Sequence, residues 1–264
     1  MLTWAPTIFA HQPIIVSDSP IQITNPEISQ AFYDELNGIP KRYFVESSQN
    51  FELYINLLVP LKANANGRYS AKIYDLNNDL KLLATIDGPS VPWSTYYETF
   101  AKDYYFKGPE FDQPMPAGKY AIDVYSGDNQ GKYVLAIGKI ETFSVKNSFN
   151  IIGILRNLKV NFFNTSPFKL TLTIFGIIYL VSIFIIATFT TLVYKFVIHK
   201  TKKTFLISSK NQLINSSISI VLIILGLYTW SPIILFLADI FVIHIYYQFI
   251  NNFVSNNKNH KTIN

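Results

Sequence analysis

The sequence predicts a mainly β, antiparallel sandwich with one short helix, followed by an α-helical transmembrane region. Strand-like runs separated by turn residues fill the first half, and Leu170–Val193 contains no charged residue. Residues Met1–Asn150 carry 16 acidic and 12 basic side chains, whereas Ile151–Asn264 carries 10 basic side chains and one acid, Asp239. Because the excess lysines flank apolar segments, this pattern argues against a nucleic-acid partner.

The first ten residues, Met1–Ala10, resemble the end of a signal peptide, because an apolar pair precedes a small residue. The basic start of a complete signal is missing. We therefore expect a remnant of a signal peptide, with the mature chain beginning at His11. An ordinary N-terminus is the alternative.

An extracytoplasmic sandwich is predicted for residues 11–146. Seven segments have strand composition: Pro20–Thr24, Arg42–Glu46, Phe51–Val59, Tyr69–Tyr74, Leu82–Ile86, Lys119–Tyr125 and Tyr133–Thr142. Turn-forming pairs such as Asn66-Gly67 and Ala117-Gly118 separate them. Short strands at this spacing are typical of a β-sandwich.

One helix is predicted within this pattern, from Asn25 to Gly38. Asn25 suits the N-cap and Pro26 the first helical position, while Gly38 suits the end. The apolar residues between them recur at helical spacing: Ile28, Phe32, Tyr33 and Leu36.

A second amphipathic segment, residues 147–166, leads to the membrane region. Its apolar side chains fall on one helical face: Ile151, Ile152, Leu155, Leu158 and Phe162. We expect an interfacial helix or a stiff juxtamembrane stalk.

Three membrane spans are predicted within residues 167–250, at about 170–193, 213–230 and 233–250. The last two are separated at Pro232, which follows a short polar turn. A single long span followed by an interfacial helix is the alternative for this pair.

Lysines near the spans set the expected orientation, because cytoplasmic loops are enriched in them. They lie in one loop and in the tail: Lys195, Lys200, Lys202, Lys203, Lys210, Lys258 and Lys261. Three spans place the N-terminal domain outside the cell membrane and the tail, residues 251–264, in the cytoplasm. Two spans would place the tail outside.

Four runs carry a family resemblance: NPEISQAFYDELNG, FELYINLLVP, YYETFAKDYYFKGPEF and AGKYAIDVYSGDNQGKYVLAIGKIE. With them the chain resembles a group of bacterial membrane-anchored proteins with an extracytoplasmic β-sandwich and no assigned activity. The last run also resembles the closing strands of prepeptidase-C-type and immunoglobulin-like sandwiches. The resemblance implies export and architecture, and it implies no mechanism.

The most distinctive candidate site is the aromatic segment Trp93–Phe111, in which rings alternate with carboxylates. Such surfaces stack on sugars or form protein interfaces. Tyr97, Tyr104 and Tyr105 are the candidate ligand-binding residues, whereas we expect Trp93 and Phe100 in the core. The alternative is that all these rings close one end of the sandwich.

Other candidate sites are weaker. His11 could bind copper as an N-terminal residue, but a second extracytoplasmic histidine is missing. Asp75–Asp79 resembles the start of a calcium loop but lacks its later glycine and glutamate, so a hairpin turn is expected. Asp239 falls within the third span, with Thr188, Thr190 and Thr191 as possible polar partners, and a role in helix packing is favoured over an ion pathway.

The sequence contains no Cys and no Gly-x-Ser-x-Gly or His-Glu-x-x-His motif. We therefore expect no catalytic, cofactor or metal site. The expected function is a non-enzymatic envelope module that binds a protein or a glycan outside the membrane. The alternative is an accessory subunit of a transport or secretion assembly, in which Asp239 would matter.

Overall fold

The computed structural model describes residues 11–17, 20–64, 67–98, 101–142, 145–201 and 212–261. The chain divides into two compact units, Met1–Thr165 and Ser166–Asn264. The predicted signal-peptide remnant lies outside the described residues.

The first unit contains two β-sheets. Its described strands are β1 (Gln12–Ile15), β2 (Ile21–Ile23), β3 (Gln30–Asn37), β4 (Lys41–Ser47), β5 (Phe51–Pro60), β6 (Ser70–Asp75), β7 (Lys81–Ile86), β8 (Ser94–Glu98), β9 (Asp103–Met115), β10 (Gly118–Tyr125) and β11 (Gln130–Ile137). The first sheet has the order β1-β3-β11-β5-β9-β8 and the second β2-β4-β10-β6-β7. The predicted two-sheet architecture is confirmed. Its strand pairs are mainly antiparallel, but β1 pairs with β3 and β2 with β4 in parallel.

The core lies on the inner faces of these sheets and follows the two-residue period of strands. In β5, Leu53, Ile55 and Leu57 are fully buried in the core cluster. Leu58 belongs to a second cluster, on the outer face of the first sheet. The first sheet is therefore apolar on both faces, which explains the nearly continuous apolar run of β5.

The prediction of a helix from Asn25 to Gly38 is wrong, because residues 30–37 form strand β3. Phe32 and Leu36 face the inner core, while Ala31 and Tyr33 face outward. Apolar residues four apart fit either a helix or alternate positions of a strand. Hydrogen bonding to β1 on one side and β11 on the other decides for the strand.

All seven predicted strands are present. Besides β3, which was predicted as a helix, three further strands were not predicted. These are β1, β8 and β9, of which β8 and β9 contain most of the aromatic segment. Their alternation is less regular than that of the other strands, since β9 contains a Gly-Pro pair.

Helix α1 (Val145–Asn157) and the π-helical turn Leu158–Phe162 belong to the first unit. The predicted amphipathic face is real, but it packs on the outer face of the first sheet. Leu158, Phe162 and Phe163 form a buried cluster with side chains of that sheet. The segment expected to be a stalk or interfacial helix is thus a third layer over the sandwich. We call α1, the turn Leu158–Phe162 and Phe163 the helical layer. The compact unit therefore extends beyond residue 146.

The second unit is helical, with a 3₁₀ turn at Pro167–Leu172, α2 (Ile174–Thr201), α3 (Gln212–Thr229) and α4 (Pro232–Lys261). The expected break separates α3 from α4, with Trp230 at a positive φ of 53° and Pro232 starting α4. One described helix, at Ile174–Tyr194, is long and apolar enough to cross a membrane. The apolar parts of α3 and α4 are shorter.

Candidate functional site

The outer face of the first sheet carries a cavity of about 490 Å³ beside α1. We call this cavity the groove. Its walls contain four tyrosines, Tyr33, Tyr54, Tyr96 and Tyr105, and four carboxylates, Glu98, Glu110, Asp112 and Glu141. The strands β3, β5, β8 and β9 each contribute one of the tyrosines. Rings and carboxylates from distant parts of the sequence therefore meet on one sheet face.

Three of the tyrosines form the aromatic wall of the groove. The hydroxyls of Tyr33 and Tyr105 share a hydrogen bond of 3.1 Å. The ring centroids of Tyr96 and Tyr105 are 6.4 Å apart, within the range of aromatic pairs. Burial raises the pKa of the Tyr33 and Tyr105 hydroxyls, so both remain neutral donors and acceptors.

The carboxylates Glu110 and Asp112 project from β9 and are held by neighbours. The hydroxyl of Tyr54 donates to Glu110 at 2.9 Å, and Lys107 forms an ion pair with the same carboxylate. Although burial opposes the shift, these two hydrogen bonds lower the pKa of Glu110. Glu110 is therefore charged near pH 7. Lys139 pairs with Asp112.

A β-bulge puts these carboxylates on the groove face. Leu58 pairs with Lys107 and Asn56 with Glu110, so Gly108 and Pro109 form the irregularity in β9. Tyr105 before the bulge and Glu110 after it both line the groove. In a regular strand these two positions would lie on opposite faces.

His11, Ser29 and Glu141 meet at another part of the groove. Ser29 Oγ lies 2.5 Å from His11 Nδ1 and donates to Glu141 at 3.3 Å. Burial lowers the pKa of His11, which favours the neutral ring. The serine lies between the two other groups, whereas a catalytic triad needs the histidine between serine and acid. The described residues also contain no group of three or more His, Cys, Asp or Glu side chains suited to a metal ion.

A buried ion pair attaches the helical layer to the sheet beside the groove. Lys159 and Asp103 have side chains that are only 1% and 4% exposed, and Lys159 Nζ lies 2.6 Å from Asp103 Oδ2. The same ammonium donates to the carbonyl of Ala101, which lines the groove. The pair thus fixes the helical layer to the end of the β8–β9 hairpin.

The three tyrosines predicted to bind a ligand do not lie together. Tyr97 and Tyr104 are 41% and 54% exposed, and their rings pack together with centroids 4.7 Å apart. Tyr105, one residue further along β9, is 2% exposed and forms part of the groove wall. Tyr105 is therefore separated from the exposed pair, because adjacent strand residues face opposite sides, and ligand binding by the three tyrosines stays a prediction.

Trp93 packs against the core, as expected, and its indole N–H donates to the carbonyl of Gly88 at 2.9 Å. Phe100 lies outside the described residues. Asp75 accepts bonds from Asn77 and Asn78 in the turn between β6 and β7, which matches the expected hairpin turn.

Asp239 is partly buried within α4. Its possible partners Thr188, Thr190 and Thr191 each donate to a carbonyl four residues earlier in α2. Their hydroxyls therefore have local acceptors and do not require Asp239.

Sequence reasoning missed Tyr33, Tyr54 and Tyr96 as groove residues. The Gly108-Pro109 pair was the available signal, because glycine and proline within a strand mark a bulge. Tyr33 of β3 and Tyr54 of β5 had no local signal, since only the order of strands in the sheet brings them to the same groove as Tyr96 and Tyr105.

No family model matches the sequence, and no curated protein matches it. Among solved structures, the chain is similar to the pre-peptidase C-terminal domain of a collagenase from Bacillus anthracis. The identity is 11%, the match covers 49% of this chain and 96% of that domain, and the TM-score is 0.28. The description of the sandwich therefore depends on the strand pairings given above.

Proposed function

We propose that this chain is a membrane-anchored, non-enzymatic envelope protein whose first unit binds a polar ligand in the groove. The observation that carries the proposal is the meeting of four tyrosines and four carboxylates around one cavity of about 490 Å³. Cavities of this size with aromatic walls and a few convergent polar groups are typical ligand sites.

Binding is favoured over catalysis by the arrangement of the reactive groups. Ser29 lies between His11 and Glu141, and this is not the order of a hydrolytic triad, in which the histidine lies between serine and acid. Tyr54 and Lys107 hold Glu110 in its charged form, which suits recognition better than proton donation.

For the membrane anchor, we propose three spans, with the first unit outside the membrane and the C-terminus in the cytoplasm. The apolar helix Ile174–Tyr194 and the lysine-rich flanks support it. Protease added to intact cells without outer layers should remove the first unit and spare a tag placed after Asn264. Loss of the tag from outside would contradict three spans.

Two neighbouring tyrosines allow a matched test of the binding site. Tyr96 lines the groove, whereas Tyr97 follows it on the opposite face of β8 with similar exposure. The full-length chain in detergent, its Tyr96→Ala variant and its Tyr97→Ala variant should be applied to arrays of envelope glycans and peptides. We expect ligands of the parent to bind Tyr96→Ala at least about tenfold more weakly. Equal binding by all three proteins would place the ligand site elsewhere.

A further inference from the structure

The groove carries more negative than positive charge. Its described lining residues include the four carboxylates and Lys139, and Lys107 pairs with Glu110. His11 adds little positive charge, because burial lowers its pKa. Carboxylates gathered in a partly enclosed space repel one another, and a bound cation relieves this repulsion.

The groove already holds one ammonium group, which belongs to the protein itself. Lys139 Nζ lies 5.1 Å from the centroid of the Tyr54 ring and pairs with Asp112. An ammonium group within about 6 Å of a tyrosine ring centroid is attracted by the face of the ring. This part of the wall therefore holds one alkylammonium group between a ring and a carboxylate.

A second ring and carboxylate stand on the same face at the edge of the sheet. Tyr96 and Glu98 are two residues apart in β8, so they project to the same side, and both line the groove. Tyr96 remains 39% exposed, and Glu98 Oε2 accepts a bond of 2.7 Å from the Ala101 backbone N–H. The carboxylate is therefore held in position next to an accessible ring.

We propose that the ligand presents a primary ammonium group on an alkyl chain, which binds against the Tyr96 ring beside Glu98. This inference rests on the proposed function of the groove. A neutral sugar would also stack on Tyr96, but it would remove water from a groove in which carboxylates outnumber lysines without adding positive charge. An ammonium supplies that charge. A lysine side chain and a free diamine share this chemistry.

The test measures binding of small probes to the full-length chain in detergent by calorimetry. The probes are Nα-acetyl-lysine methylamide, cadaverine, the Nε-acetylated form of the lysine probe, and an oligosaccharide of N-acetylglucosamine. The variants are Tyr96→Ala and Glu98→Gln, and glutamine keeps an acceptor for the Ala101 N–H. The controls are Tyr97→Ala and Glu46→Gln, since Glu46 lies in the second sheet and is 65% exposed.

We expect the ammonium probes to bind, and each groove variant to weaken binding by about tenfold, which corresponds to ~1.4 kcal/mol. The controls should stay within about twofold of the parent. Tighter binding of the lysine probe indicates a polypeptide ligand, and tighter binding of cadaverine indicates a free diamine. Melting of each variant checks that it is folded.

Two results would overturn the inference. One is equal binding of the Nε-acetylated probe, and the other is no binding of either ammonium probe at about 10 mM. If the oligosaccharide then binds and Tyr96→Ala abolishes this, the proposed function stands and only the ammonium class is wrong. If every probe that binds does so independently of Tyr96 and Glu98, both proposals fail.

Discussion

Neighbouring tyrosines of the β8–β9 hairpin differ in role because successive strand residues face opposite sides. Tyr105 is buried and bonded to Tyr33, whereas Tyr97 and Tyr104 are exposed and their rings pack on each other. We expect Tyr105→Ala to lower the free energy of unfolding by roughly 3 to 5 kcal/mol, as for other buried aromatic residues. Tyr97→Ala and Tyr104→Ala should each change it by no more than about 0.5 kcal/mol. Urea unfolding of residues 11–165 measures all three.

A loss of stability in Tyr97→Ala comparable with that in Tyr105→Ala would contradict this assignment. Tyr105→Phe is the conservative control. It keeps the ring and removes only the hydroxyl bonded to Tyr33, so its cost should be about 1 to 3 kcal/mol.

The ion pair between Lys159 and Asp103 is another feature at the scale of residues that affects the free energy of unfolding. Replacing one partner leaves the other charge buried, so Lys159→Met should cost about 3 to 5 kcal/mol. Lys159→Met combined with Asp103→Asn removes both charges and should cost less than Lys159→Met alone. A double-mutant cycle on residues 11–165 measures the difference. A double variant less stable than either single variant would show that the pair is not the source of the cost.

At the scale of elements, the bulge in β9 determines which side chains enter the core. Phe106 and Phe111 both pack against the core although they are an odd number of residues apart. Gly108 lies at the bulge and leaves room for Trp93, since a Cβ there would be 2.6 Å from the indole ring. Gly108→Ala should therefore cost about 1 to 3 kcal/mol.

Gly127→Ala is the matched control for Gly108→Ala, because a Cβ at Gly127 meets no atom within 4 Å. Its effect should stay within about 0.5 kcal/mol. Thermal melting of both variants in residues 11–165, where Trp93 is the single tryptophan and serves as a fluorescence reporter, tests the comparison. Equal stability of the two variants would mean that the indole ring can move away at little cost.

At the scale of the molecule, the helical layer completes the first unit. Leu158, Phe162 and Phe163 cover apolar side chains on the outer face of the first sheet. Residues 11–165 should therefore melt cooperatively, whereas residues 11–146 should expose that face, melt at a lower temperature and bind a hydrophobic dye. Calorimetry and dye binding compare the two fragments. Equal melting temperatures would show that the layer contributes nothing to stability.

Local patterns alone predicted much of this architecture. Period-two alternation and turn residues located seven strands, and hydropathy together with Pro232 located the helices of the second unit and the break between α3 and α4. These features depend on residues near one another in the chain, so they are visible without knowledge of the fold.

The tertiary structure decided the rest. Phe32 and Leu36 fit a helix or a strand equally well until β1 and β11 pair with β3. Tyr105 and Glu110 share a face only because the bulge at Gly108 shifts the alternation of β9. The groove itself exists because strand order places β3, β5 and β8 beside residues distant in sequence. These strand pairings arise from long-range hydrogen bonding and burial, so no local sequence pattern indicates which strands become neighbours.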